Sequence, residues 1–85
     1  MKGAVYEKVI TIRDSHEFQV EKEHIYLHHV LLKVIGTNIT IGRGGKCLYP
    51  LYNGITVELQ DIDMATLYVK GAGAGEVLYI LGTEE

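Results

Sequence analysis

Three of the four histidines, His24, His28 and His29, fall within six positions, and imidazole nitrogen is both a metal ligand and a proton carrier near neutral pH. On an extended strand, however, His24 and His28 would stand roughly 13 Å apart, too wide for two ligands each about 2 Å from one ion. His28 and His29 are neighbours and are expected on opposite faces. A metal site would need one of them together with His16, Cys47 or a symmetry mate, so no metal is assigned and the three are read as surface or interface histidines. Cys47 is the only cysteine; it excludes an internal disulfide, lacks zinc spacing and is read as a small packing residue.

The remaining chemical candidates fail on spacing. Gly42-Arg43-Gly44-Gly45-Lys46 is superficially a phosphate loop, but a Walker loop needs glycine where Thr40 stands and Ser or Thr where Cys47 stands. Gly71, Gly73 and Gly75 miss the dinucleotide fingerprint, because Glu76 occupies the place of the third glycine and no helix follows. Ser15, the only serine, has no glycine-bounded elbow, and nothing marks a cleft around Asp61 and Asp63. No catalytic or cofactor-binding residue is assigned, and a non-enzymatic chain is expected.

The elements around these residues read as short strands. Val5 to Ile12 alternates with period two, as does Ile39-Thr40-Ile41. Phe18-Gln19-Val20 is a short strand between turns. Projected at 100° per residue, the apolar residues between Asp14 and Gly36 surround the whole circumference, which argues against a helix and for a turn followed by a long strand from about Ile25 to Ile35. Its neighbour, after Gly36-Thr37-Asn38, is expected to pair antiparallel with it. Gly42 to Lys46 reads as a flexible loop. Leu48 to Tyr52 reads as an edge piece, because Pro50 cannot donate to a ladder.

Asn53-Gly54 is a tight-turn signal. Ile55 to Leu59 alternates, with Ile55, Val57 and Leu59 inward. Gln60 to Ala65 is a connection with room for a helical turn. Leu67 to Lys70 and Glu76 to Leu81, around Gly-Ala-Gly-Ala-Gly, give the strongest hairpin signal in the chain. Glu76, Leu78 and Ile80 share one of its faces; Val77, Tyr79 and Leu81 share the other. The expectation is a single all-β domain over residues 1–85, a small antiparallel β-sandwich or jelly-roll-like barrel of about eight short strands.

Composition bears on partners. A domain of 85 residues buries only about 60–65% of its unfolded surface. Yet 47% of this one is hydrophobic and 22% charged, more apolar surface than one small core needs. A second surface covered by another chain is therefore expected. The net charge of −3 is scattered with no basic stripe, so nucleic acid is not an expected partner. Neither a secretory signal at Met1 to Glu7 nor a span of about 20 apolar residues is seen, so no membrane role is expected and the chain is read as soluble and intracellular at synthesis. Glu84-Glu85 is read as a frayed terminus.

From Ile25 onward the chain resembles a loose class of small β-rich virion proteins of tailed bacteriophages. The residues that carry the likeness are Val30-Leu31-Leu32-Lys33-Val34, Ile39-Thr40-Ile41-Gly42 with its glycine-rich loop, Leu48 to Leu51 ahead of Asn53-Gly54, Ile55 to Leu59, Leu67-Tyr68-Val69, and Val77 to Glu84. The resemblance implies a compact sandwich made in the host cytoplasm and placed in the virion. Its implied roles are head fibre, capsid decoration or head-tail accessory part; its implied partners are further copies of itself, a trimer favoured, and other virion proteins.

Six tyrosines suit such a seam, having an apolar body and a polar tip. The expected homo-oligomer interface comprises Tyr26, Val30, Leu32, Tyr68, Val77, Tyr79 and Leu81. The alternative expectation is a small ligand- or carbohydrate-binding module using Arg43, Lys46, Tyr49 and Tyr52. A third, a cupin-like metalloenzyme, is disfavoured by the histidine spacing.

Overall fold

The computed structural model describes residues 4–73 and 75–84; Met1, Ala74 and Glu85, named above, lie outside them. Eight strands form: β1 Val5–Ile12, β2 Glu17–Gln19, β3 Tyr26–Ile35, β4 Ile39–Arg43, β5 Lys46–Leu51, β6 Thr56–Asp63, β7 Tyr68–Lys70 and β8 Glu76–Glu84, with a 3-10 turn at Met64–Thr66. They make two four-stranded antiparallel sheets, β1-β8-β3-β6 and β2-β7-β4-β5, and the domain is an all-β sandwich. Strand 1 pairs with 8, 2 with 7, 3 with 6 and 4 with 5. This is the order of a jelly roll, a long double hairpin rolled so that alternate pairs fall in opposite sheets.

That order overturns two expected pairings. β7 and β8 do not pair: β7 lies between β2 and β4 in one sheet, β8 between β1 and β3 in the other. The glycine-alanine segment is thus an arch between sheets, not a hairpin turn. The same holds for β3 and β4, which Gly36-Thr37-Asn38 carries into different sheets. Both arches close on Glu76. Its buried Oε2 accepts from Ala72 N at 2.6 Å. Gly36, at φ +127°, packs so closely that a Cβ there would lie 3.2 Å from Glu76 Cα; no L side chain suits that position.

The core sits between the sheets. Leu27, Val30, Leu32, Val34, Leu78 and Ile80 come from one sheet; Ile39, Ile41, Leu51 and Val69 come from the other, with Met64 and Leu67 from the connection. Each such side chain contributes about 1.5–3 kcal/mol on burial. Val57 and Leu59 are half-buried against the core as expected, but Ile55 is 54% exposed, because it precedes β6. β6 also runs on to Asp63, through residues expected to be connection. Gly42 to Lys46 is not a long loop but a two-residue turn joining β4 to β5.

Candidate interaction surface

Alternation sends one half of each strand inward, and what remains outside differs between the sheets. In the β1-β8-β3-β6 sheet the register stacks outward residues in rows across the strands: Glu7, Leu81, Leu31, Glu58; then Val9, Tyr79, Lys33, Thr56; then Thr11, Val77, Ile35. Val9, Leu31, Ile35, Tyr79 and Leu81 are each between 41 and 57% exposed. A face of this kind would normally be polar in an isolated antiparallel sheet. Glu7, Val9, Leu31, Lys33, Thr56, Tyr79 and Leu81 border a shallow hollow of about 460 Å³ on it.

The expected interface residues divide accordingly. Val77, Tyr79 and Leu81 lie on this face. Val30 and Leu32 do not: both are fully buried between the sheets, and their neighbours Leu31 and Ile35 take the outward places. A partner could not reach Val30 or Leu32 without unfolding the domain. Tyr68 is on the other sheet, half-buried, with its ring over Gly44. Tyr26 is exposed at the start of β3, its ring 6.3 Å from that of His24 and stacked on it.

The four candidate ligand residues are likewise separated. Arg43 and Tyr49 border a cleft of about 400 Å³ at the open seam between β4, β5 and β6, whose floor includes Ile41, Val57, Leu59 and Leu67. Tyr52 lies instead in a separate hollow with Thr40, Pro50 and Lys70, and Lys46 starts β5 beside the turn, opposite Arg43.

The opposite seam is shut. Tyr6 Oη donates to Glu21 Oε2, and Lys8 Nζ donates to Val20 O and Glu21 Oε2, each at 3.0 Å. The hydrogen bond from Tyr6 holds the Glu21 carboxyl below its usual range, and burial with the Glu21 charge pushes the Tyr6 phenol up.

The histidines form a row of carboxylate pairs across β3 and β6 that spacing alone did not suggest. His24 Nδ1 lies 2.6 Å from Asp63 Oδ2, His28 Nδ1 2.7 Å from Asp61 Oδ1, and His29 Nδ1 3.1 Å from Glu58 Oε2. The register between β3 and β8 shifts between Leu27 and His29. This bulge removes the expected opposition of His28 and His29, whose rings meet edge-on with centroids 4.4 Å apart; a bulge inserts one residue and so breaks the two-residue period. Asp61 opposite it sits at φ +51°. Asp63 also caps the 3-10 turn by accepting from Ala65 N at 3.0 Å, and its pKa is lowered chiefly by His24. Among the described residues no three His, Cys, Asp or Glu side chains converge to hold a metal ion.

Comparison with known proteins supports the architecture. No family model matches the chain, and no curated protein is similar to it. Among solved structures it is similar to the capsular polysaccharide assembling protein CapF of Staphylococcus aureus. In two crystal structures of CapF the TM-score is 0.52 at 11% identity, over 99% of this chain and 25% or 23% of CapF. The chain therefore spans about a quarter of CapF's length. A pilus protein of Bacillus endospore appendages aligns over 100% of this chain and 93% of its own, with 16% identity and a TM-score of 0.46. At such identities the likeness to CapF is one of fold: a β domain that also occurs as one part of a longer protein.

Proposed function

We propose that this chain is a non-enzymatic association module that binds a further copy of itself through the outer face of the β1-β8-β3-β6 sheet. The role is that of a structural or assembly part of a phage particle, as its likeness to virion proteins implies. The observation that carries the association is the apolar centre of that face, Val9, Leu31, Ile35, Tyr79 and Leu81. Apolar surface left in water is stabilised by burial at about 25 cal/mol per Å², offset by the entropy of docking. Monomers rarely keep so continuous a patch.

Sedimentation equilibrium of the purified chain between 1 and ~200 μM tests the reading. We expect a concentration-dependent oligomer, and Tyr79→Glu should return it to monomer with the far-UV spectrum unchanged. A chain monomeric throughout that range would remove the proposal.

A second reading, a ligand-binding module, has the seam between β5 and β6 in its favour. A cleft of about 400 Å³ with an apolar floor, the Tyr49 ring and the Arg43 guanidinium has the size and lining of a small-molecule site. Its occupant would be an apolar or sugar-like body bearing an anionic group. Titration with uronic acids and medium-chain carboxylates, followed by the shifts of Tyr49 and Arg43 resonances, distinguishes it from self-association, which perturbs Tyr79 instead.

A further inference from the structure

The outer face of the β1-β8-β3-β6 sheet is not uniformly apolar, and its charges indicate how a second copy would sit on it. Glu7 on β1 and Lys33 on β3 point outward on either side of β8, one row apart: Glu7 is level with Leu81, and Lys33 with Tyr79. No ion pair or side-chain hydrogen bond ties either charge to another described residue. Burying them against a neutral apolar partner would leave two desolvated charges without compensation, which is strongly unfavourable. The partner that fits must therefore bring a cation over Glu7 and an anion over Lys33 while covering an apolar strand between them.

A second copy of this chain meets that requirement under one symmetry. β8 is flanked on both sides by antiparallel strands, each about 4.8 Å away. A two-fold axis running in the interface along β8 lays β1 of each copy over β3 of the other. Glu7 then lies over the partner's Leu31, between Lys33 one row along β3 and Glu58 one strand across on β6, the latter already paired with His29, and Lys33 lies over the partner's Val9, one row from its Glu7. The Glu7–Lys33 pair thus forms twice, once on each side of the axis. Tyr79 and Leu81 fall beside the axis, where apolar contact is most completely screened from water.

Sheets stacked this way lie about 10 Å apart with strands near −30°, a spacing that the long Lys33 side chain can bridge. A single two-fold axis relates two copies, so this arrangement is a pair and not the trimer that the virion resemblance favours.

We infer that the chain forms a two-fold dimer, β8 over β8, with reciprocal Glu7–Lys33 pairs across the axis. The inference rests on the self-association proposed above and adds its register.

Charge exchange tests it. Glu7→Lys and Lys33→Glu are each prepared alone, mixed in equal amounts, and combined in one chain, and each sample is followed by sedimentation equilibrium. Each single variant sets two like-charge contacts across the axis and should weaken the dimer about a hundredfold. The mixture should form a heterodimer at close to the wild-type affinity, because all four charges are then opposite in pairs. The double variant should dimerise with itself as the wild type does.

A wild-type chain that stays monomeric overturns the register and the self-association reading together. A wild-type dimer whose single variants dimerise undiminished, or whose mixture does not recover, overturns the register alone. Circular dichroism of every variant shows that each is folded when scored, since both positions are exposed.

Discussion

The outer faces of the two sheets differ in how their polar and apolar side chains are arranged. On the β2-β7-β4-β5 sheet two polar side chains are tied within the chain: Glu17 Oε2 accepts from Gly45 N at 2.6 Å, and Thr40 Oγ1 donates to Lys70 O at 3.3 Å. The exposed large apolar residues of this sheet, Leu48, Tyr49 and Tyr52, lie on the edge strand β5 and just beyond it. The β1-β8-β3-β6 sheet reverses this. Its exposed centre is apolar, and its two central charges, Glu7 and Lys33, find no partner among the described residues. Two faces drawn from one alternating pattern thus differ in where their exposed apolar side chains stand: along the edge of one sheet, across the centre of the other.

The largest contrast between an inward and an outward position lies within β3. Leu32→Ala removes a fully buried side chain and should cost about 2–5 kcal/mol of stability; Leu31→Ala, one residue away on the outer face, should cost under about 1 kcal/mol but weaken association. Urea unfolding at low concentration, paired with sedimentation, reads both. Equal loss of stability would mean that the two positions do not differ as β3 places them.

Next in size is a matched pair of new charges. Tyr79→Glu should dissociate the oligomer, whereas Thr40→Glu, on the outer face of the other sheet, should leave it unchanged. Loss of assembly from Thr40→Glu would move the interface to the wrong sheet.

A smaller effect concerns acid. Glu21 and Asp63 are held below the ordinary carboxylate range by Tyr6 and His24 respectively. Their contribution to stability is therefore complete above the unfolded-state value of about 4 and is lost as pH falls through the lower folded value. Denaturant midpoints measured from pH 6 to pH 2 should fall, and His24→Ala should flatten the part due to Asp63. The smallest effect is chemical. Burial first, and the adjacent Glu17 second, push the Cys47 thiol up to about 12, so alkylation at pH 8 should be slow, and Glu17→Gln should speed it by a few fold.

Much of the fold is legible in the residue pattern. Alternation identifies the inward and outward sides of β1, β4 and β8, and glycine and asparagine clusters mark where most strands stop. Pro50 marks β5 as an edge. The candidate surface is legible only in part. Val77, Tyr79 and Leu81 are found from β8, whose two faces separate cleanly. In β3, where Val30 to Ile35 is apolar at every position but Lys33, period two cannot say which half faces the core, and Val30 and Leu32 are exchanged for Leu31 and Ile35. The bulge at His28 compounds this, because an inserted residue resets the alternation without any composition signal of its own. The histidine-carboxylate row is invisible for a related reason: its partners are 29 to 39 positions apart in the chain.

Residue order alone is enough to read an all-β domain of about eight strands and the sidedness of most of them. Tertiary structure alone decided which strands share a sheet. A glycine-rich turn closes a hairpin and an arch equally well, since the backbone bends in both; what separates them is where the next strand's amide and carbonyl groups find partners. In β8 those partners are β1 and β3, far away in sequence, and that choice places Tyr79 and Leu81 at the centre of an open face.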